Sequence, residues 1–419
     1  MRKISYREIE GKSMGFWALL GVFGLMVLAG LGASWYMEHN GHVVTGMNNQ
    51  IVWGIPHVFA VFLIVAASGA LNVASISSVF GRKLYKPIAP LSALLSLTLM
   101  VGGLMVLVLD LGRPDRIIIA MTKLNPMSIF AWNQLFYNGF FAIVGAYLWV
   151  MMDKRMGRFI KPLGYAAFIW RLILTTGTGS IFGFLVARQA YDAAIMAPMF
   201  ILMSFSYGLA IFILVLMASY AWTRRPLGDA VLYRLRNLLA VFISAVLYFV
   251  LAYHLTNLYI TENHGFEAFI LLGRNGGSVY SQIFWIGQII LGSVIPLIII
   301  FHGGLNKSRK LIAVASALVV LGGLAQMYVT IVGAQAYPLQ TFPGMEVLGS
   351  GFYDGVAWQY KPSLPEFVLG LAGVALALAA TMVAIRVLRF LPTSLADESV
   401  DPHYVAPDEA EAVPQEAGA

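Results

Sequence analysis

Ten long runs of apolar residues dominate this sequence and constrain its fold more than any other feature. Each run has about the 20 residues that a helix needs to cross the hydrocarbon core of a bilayer. The runs cover roughly residues 14–36, 52–79, 88–111, 129–151, 162–187, 197–222, 235–258, 278–302, 311–336 and 365–390. They are continuous, whereas a membrane β-barrel needs short alternating segments. The sequence therefore predicts an all-α integral membrane protein with ten transmembrane helices.

Composition excludes the main soluble classes. Of the 419 residues, 59% are hydrophobic and 11% are charged, against about 25% charged in typical soluble domains. The net charge of +7 does not indicate nucleic-acid binding, because the basic residues lie in short loops between apolar runs. The chain has no cysteine, which excludes disulfides, iron–sulfur clusters and c-type haem attachment within it.

Loop charges predict the orientation in the membrane. Of the 27 Lys and Arg residues, 20 fall on the side of the chain termini and 6 on the opposite side. This bias places both termini in the cytoplasm. We expect a multi-pass protein of the bacterial cytoplasmic (inner) membrane. The first apolar run is too long for a secretory signal core and is expected to be an uncleaved helix. We expect residues 1–13 to be a cytoplasmic N-terminus, 14–391 the membrane domain, and 392–419, rich in Pro, Ala and Glu, a disordered cytoplasmic tail.

Weak internal similarity suggests two related units. The second and sixth runs each begin with a proline, Pro56 or Pro198, and carry a patch of small residues further on. Small residues let membrane helices approach closely. The sequence predicts two four-helix bundles, helices 2–5 (about 52–190) and 6–9 (about 191–336), with helices 1 and 10 (about 365–390) peripheral.

Ionisable and polar residues inside the predicted helices are few, so each is a functional candidate. One group reaches a common depth near the outer face, where helices 2 and 4 begin and helix 3 ends. It consists of His57, Asp110, Arg113, Trp132, Asn133 and Tyr137. The group could supply hydrogen-bond partners and a proton acceptor to a quinol. In the structural alternative, Asp110 and Arg113 pair beside helix 3, and His57 bonds a neighbouring helix.

A second set of residues is a candidate proton path. It consists of Asp110, Arg171, Asp192 and His254. Alternatively, Arg171 snorkels towards the cytoplasm, and the outer residues around Asp192 and His254 have a structural or docking role. His57 and His254 are the only histidines at matched depth within predicted helices, and they fall in different bundles, which argues against a bound haem b.

Several motifs resemble the NrfD/PsrC family of quinone-reactive membrane subunits. They are the run Leu107-Val108-Leu109-Asp110-Leu111-Gly112-Arg113-Pro114, the segment Asn125-Pro126-Met127-Ser128 followed by Trp132, and Trp53-Gly54-Ile55-Pro56. The ten-helix layout is similar to the HybB-type branch. The stretches Ala336–Leu339, Phe342–Gly344 and Ser363–Glu366 are most similar to DsrP-type subunits of DsrMKJOP complexes.

The resemblance implies a helical bundle that binds menaquinone or ubiquinone near the extracytoplasmic face. The motif carboxylate and guanidinium correspond to Asp110 and Arg113. Some relatives have a histidine where this chain has Ser68, so His57 is an alternative quinone ligand. The implied partners are an extracytoplasmic ferredoxin-like iron–sulfur protein, cytochromes and a cytoplasmic iron–sulfur protein. The residues leave two alternatives open: a secondary transporter, and a structural anchor without its own quinone site.

Overall fold

A computed structural model describes residues 4–338, 359–401 and 404 of the chain. Within them, nine helices are long and apolar enough to cross a membrane. We number the long helices α1 to α10 in chain order. These nine are α1 (Met14–Asn40), α2 (Ile55–Ser78), α3 (Lys83–Leu109), α4 (Ile129–Met152), α6 (Met196–Thr223), α7 (Asp229–Tyr259), α8 (Ser278–Phe301), α9 (Arg309–Ala336) and α10 (Leu364–Val387). The prediction of an all-α polytopic membrane protein is confirmed.

The remaining long helix is α5 (Ile160–Gly183), with 24 residues. It lies between α4 and α6 and packs against both. It is not among the nine because Arg171 and a polar run from Thr175 to Ser180 interrupt its apolar sequence. Ten membrane-crossing helices therefore remain a prediction, although the tenth segment is helical.

Several long helices depart from regular α geometry. The hydrogen bonding of α2 is interrupted at Leu71, between Ile55–Ala70 and Asn72–Ser78. Helix α8 contains a π-helical segment, Ile283–Val294, and α9 contains another, Val329–Gly333. Short helices lie in two of the connections, Ile117–Thr122 before α4 and His264–Leu272 before α8.

The two patches of small residues pack against each other at the centre of the molecule. A Cβ atom added to Gly69 of α2 would lie 1.6 Å from the carbonyl oxygen of Ser204 in α6, and one added to Gly208 would lie 2.1 Å from the amide nitrogen of Ala70. Only glycine allows such an approach of two backbones. Helix α1 packs on α10, which in turn packs on α2 and α3. The division into two related bundles remains a prediction.

A segment near the start of the described chain meets one near its end, at one end of the helix bundle. We call this the terminal end, and the opposite end the distal end. Strand β1 (Tyr6–Arg7) pairs antiparallel with β2 (Leu391–Pro392). Asp397 accepts a hydrogen bond from the backbone amide of Ala230 at 3.0 Å, in the first turn of α7. The prediction of disorder from residue 392 is wrong for 392–401, because strand pairing, this cap and the burial of Val400 order them. The later tail, except Tyr404, lies outside the described residues.

Candidate functional site

A cavity of about 410 Å³ lies near the distal end, between α2, α3, α4 and α5. Its walls are mainly apolar. Leu104, Leu107 and Val108 come from α3, and Phe130 and Phe141 come from α4. Cavities of this size that combine apolar walls with a few polar groups are typical of sites for small organic molecules.

His57 and Asp110 form a close pair at this cavity. His57 lines the cavity, and its Nδ1 lies 2.7 Å from Oδ2 of Asp110. The Asp110 side chain is 1% exposed and that of His57 is 18% exposed. The contact is too poorly directed to count as an ideal hydrogen bond, and neither Asp110 oxygen has a better donor among the described residues. His57 is therefore the polar neighbour on which the buried carboxylate depends.

Local sequence explains why these two side chains meet. Helix α2 begins after Gly54 with Pro56 in its first turn, a favoured position for proline. Asp110 follows the last residue of α3, and its amide donates to the Val106 carbonyl at 3.0 Å. Gly103 lets α3 approach α2, since a Cβ there would lie 2.9 Å from the Ala60 carbonyl oxygen. The end of α3 and the start of α2 are thereby held together.

One face of α4 completes the polar part of the cavity. Asn133, Gln134, Tyr137 and Asn138 all line it. Asn133 is buried and donates through Nδ2 to the Gly177 carbonyl of α5 at 3.0 Å, so its amide also joins two helices. Gln134 has a buried Oε1 without a hydrogen-bond donor among the described residues. The Gln134 amide is therefore a polar group available to a ligand.

Two of the predicted site residues lie outside the cavity. Arg113 is exposed and binds Asp115, with Nε to Oδ1 at 3.1 Å. This hydrogen bond from Arg113 lowers the pKa of the Asp115 carboxyl. Trp132 is also exposed and donates through Nε1 to the Pro126 carbonyl at 2.9 Å. The alternative pairing of Asp110 with Arg113 is wrong, because Asp110 faces His57.

Sequence reasoning missed several lining residues. They are Trp53, Phe130, Gln134, Asn138, Phe141, Thr178 and Phe182. Those on α4 recur with Asn133 and Tyr137 at the three- and four-residue spacing of one helix face, so extending that face along α4 would have found them. Trp53 already belonged to the motif at the start of helix 2.

A second buried pair lies in the later part of the chain. Nδ1 of His254 lies 2.7 Å from Oε2 of Glu267, which is on the short helix His264–Leu272. Asn257 donates to the other Glu267 oxygen at 2.9 Å. His254 borders a separate cavity of about 30 Å³. Sequence reasoning missed Glu267 because it lies in a connection rather than in a long apolar run.

The candidate proton-path residues lie in separate places. Asp110 is with His57, and Asp192 lies in the connection between α5 and α6 with φ of +27°. Nearby, Arg188 donates to the Gln335 and Gln50 carbonyls, at 3.0 and 2.7 Å. Burial lowers the pKa of Arg188. Within the described part of the chain, each of Asp110, Arg171 and His254 has its own separate set of polar neighbours, so a continuous proton path through them remains a prediction.

Arg171 does not extend to the membrane surface. It is buried, and Nη1 donates to the Ser68 carbonyl at 3.2 Å and to Oδ1 of Asn72. Its guanidinium also lies 4.9 Å from the centre of the Phe205 ring. The snorkelling interpretation is wrong, because carbonyl, amide and aromatic partners hold the guanidinium inside the helix bundle, although its buried Nε has no hydrogen-bond partner among the described residues. Ser68 belongs to this cluster and not to the distal cavity.

Known proteins with related sequences share most of this chain. The sequence model of the family described as "Polysulphide reductase, NrfD" matches residues 43–338. The Hdr-like menaquinol oxidoreductase integral membrane subunit of Archaeoglobus fulgidus is 26% identical over 398 residues, which cover 95% of this chain and 99% of that protein. A putative membrane subunit of dimethyl sulfoxide reductase from Halobacterium salinarum is 27% identical, over 89% of this chain and 90% of that protein. A selenate reductase subunit of Mesobacillus selenatarsenatis is 23% identical, over 87% of this chain and 90% of that protein.

Proposed function

The chain belongs to the polysulphide reductase NrfD family, and from this premise we propose that it exchanges electrons between a membrane quinone and a partner redox subunit. The proposed quinone site is the distal cavity, and the observation that carries it is the His57–Asp110 pair at an apolar cavity of about 410 Å³. The relative described as a menaquinol oxidoreductase subunit supports a quinone as the substrate class. The description of this relative as a menaquinol oxidoreductase subunit favours menaquinone over ubiquinone.

The chemistry of the cavity fits a quinone ring. A quinone presents two carbonyl oxygens on opposite sides of a flat apolar ring, and it needs a hydrogen-bonding group for each. His57 is one such group. The Gln134 amide is another, because its NH2 group can donate to a quinone carbonyl and its unsatisfied Oε1 can accept from a quinol hydroxyl. The surrounding leucine and phenylalanine side chains suit the apolar ring and tail.

The pair gives His57 a defined role in proton transfer. Asp110 occupies the Nδ1 side of the imidazole, which leaves Nε2 to meet a ligand oxygen. With the proton on Nδ1, Nε2 accepts a proton from a quinol hydroxyl, and the buried carboxylate stabilises the resulting imidazolium. In the reverse direction, the imidazolium returns that proton. Asp110 acts through His57 by fixing its orientation and tautomer, as carboxylates do for other functional histidines.

Electrons must leave or enter through another subunit. The chain has no cysteine to hold an iron–sulfur cluster, and the three relatives are subunits of oxidoreductases. The proposed partner is an extracytoplasmic ferredoxin-like iron–sulfur subunit beside the distal end. The proposed assembly resembles DsrMKJOP complexes, with cytochromes and a cytoplasmic iron–sulfur protein, in the bacterial inner membrane with cytoplasmic termini. Of the segments that are similar to DsrP, residues 339–344 lie outside the described residues.

The test compares two identical substitutions in one short segment. Asp110→Asn removes the buried carboxylate while keeping its shape, and Asp115→Asn makes the same change at an exposed position. In the purified complex, we expect Asp110→Asn to lower quinol turnover about 10- to 100-fold, the size expected for losing one close interaction with a charged group. Asp115→Asn should leave turnover unchanged.

The contrary result also has a clear meaning. If Asp110→Asn assembles normally and turns over quinol like the Asp115→Asn control, the cavity is not the working quinone site. The chain would then be a structural anchor whose complex binds quinone elsewhere. Complex assembly is measured in the same preparations by the co-purification of the partner subunits.

A further inference from the structure

A second large cavity lies at the terminal end, between α1, α6 and α10. Its volume is about 560 Å³. At its mouth, Trp222 of α6 donates through Nε1 to the Ser13 side chain at the start of α1, at 3.3 Å. Beyond this contact the cavity separates the two helices. It shares no lining residue with the distal cavity.

The cavity has the depth of one bilayer leaflet. Its lining on α1 runs from Ser13 to Phe23, which corresponds to about 15 Å of helix axis. The hydrocarbon core of a bilayer is about 30 Å thick. The cavity therefore extends from the terminal end to about mid-membrane and stops there.

Polarity changes along this depth. Lys12, Ser13 and Thr223 line the mouth, whereas Phe23, Val215 and Leu378 line the deeper part. A ligand that matches this gradient has a polar head and an apolar chain about one leaflet long. A membrane lipid has this combination of a polar head and an apolar chain.

The mouth also carries an excess of positive charge, because Lys12 and Arg225 line it together with a single carboxylate, Glu10. Arg225 lines it and donates only to backbone carbonyls, among them those of Glu8 at 2.8 Å and Arg7 at 3.1 Å. Arg386 is not part of the lining but lies beside it, with its guanidinium 5.9 Å from the centre of the ring of Phe16, which lines the cavity. Neither arginine forms a salt bridge in the described part of the chain. Lys12 binds Glu10 at 3.4 Å, but both side chains are more than four-fifths exposed, so this pair contributes little and is easily exchanged.

We propose that this cavity binds one anionic phospholipid. Its phosphate lies at the mouth beside Lys12, Arg225 and Arg386, and one acyl chain follows α1 towards Phe23. Lys12 and Arg225 in the lining, with Arg386 beside it, favour a charged headgroup, whereas a neutral quinone gains no charge–charge attraction from them. The lipid fills the gap between the peripheral helix α1 and the body of the bundle, and thereby holds α1 in place. This inference does not depend on the quinone site.

The experiment measures which lipid the full-length protein retains. The chain, with any subunits that remain bound, is incorporated into nanodiscs of equal parts phosphatidylglycerol and phosphatidylcholine. It is then extracted in mild detergent, and bound lipid is counted by native mass spectrometry. We expect one retained phosphatidylglycerol per chain and no retained phosphatidylcholine.

Two variants and a matched control locate the lipid. Lys12→Ala with Arg386→Ala should weaken phosphatidylglycerol retention about 30-fold, at about 1 kcal/mol for each cation. The control, Lys161→Ala with Arg158→Ala, removes the same charges away from the cavity, including an arginine stacked 4.7 Å from the Phe159 ring. The control should retain the lipid like the unaltered protein.

A third variant tests the tail position without changing charge. Ala218 lines the cavity, and Ala218→Trp should block the acyl chain and abolish retention with all three cations present. Equal retention of both lipids would overturn the proposal, as would retention of quinone in place of phosphatidylglycerol. A Lys12→Ala/Arg386→Ala protein that retains as much phosphatidylglycerol as its control would overturn it equally.

Discussion

The His57–Asp110 pair makes a quantitative prediction about stability. His57→Phe replaces the imidazole by a ring of similar size and leaves the 1%-exposed Asp110 carboxylate without its polar neighbour. Removing one partner of a buried pair costs about 3–5 kcal/mol. Because His57 itself is 18% exposed, we expect the lower end, a loss of about 3 kcal/mol in the free energy of unfolding.

The complementary substitutions complete a double-mutant cycle. Asp110→Leu leaves a partly exposed imidazole unpaired, which should cost about 1–2 kcal/mol. Replacing both residues, as His57→Phe with Asp110→Leu, leaves an apolar contact that should cost less than about 1 kcal/mol. The double variant should therefore be at least about 3 kcal/mol more stable than the sum of the single effects predicts.

Unfolding in mixed micelles of dodecylmaltoside and sodium dodecyl sulfate, followed by tryptophan fluorescence, measures all four proteins. All three variants should also lose quinone binding. Because the double variant is expected to stay nearly as stable as the unaltered protein, its loss of binding cannot be a loss of folding. Additive effects of the two substitutions would refute the reasoning, because they would mean that His57 and Asp110 do not depend on each other.

Three further predictions concern the fold. Gly69→Ala should lower the unfolding temperature strongly, because its Cβ would lie 1.6 Å from a carbonyl oxygen of α6, whereas Gly21→Ala, with nothing within 4 Å, should not; thermal scanning of both in detergent measures the difference. Asp397→Ala should cost about 1 kcal/mol through loss of the α7 cap and should speed proteolysis of the C-terminal segment, which timed digestion would show. Glu366→Ala removes the acceptor of amide hydrogen bonds from Ser363 and Gly46, at 2.7 and 2.8 Å, and should cost about 2–3 kcal/mol, measured by micelle unfolding.

Much of the architecture could be predicted because long apolar runs identify membrane helices directly in a sequence. The fourth run, expected over 129–151, is the helix Ile129–Met152. The common depth of His57 and Asp110 followed from counting residues along two oppositely directed helices, and the two side chains are in contact. Helix direction and rise sufficed for this inference.

Other features depend on side-chain direction and long-range contacts, which residue counting does not reveal. Arg113 was placed at the right depth, but it turns outward to Asp115. For Arg171, the alternative of a side chain that extends to the surface failed, because Ser68 and Asn72 on a neighbouring helix accept hydrogen bonds from its Nη1 inside the bundle. The order of residues 392–401 depends on strand pairing with residues more than 380 positions earlier, such as Pro392 with Tyr6.

The central claim is that a quinone binds beside His57, and photoaffinity labelling tests it most directly. The native complex is illuminated with an azido-quinone, and the labelled peptides are identified by mass spectrometry. The account predicts label on the α2 segment Trp53–Val61 or the α4 segment Phe130–Phe141, which line the distal cavity, and loss of that label in Asp110→Asn but not in Asp115→Asn. Label confined to the terminal-end cavity between α1, α6 and α10, or to another subunit, would contradict it.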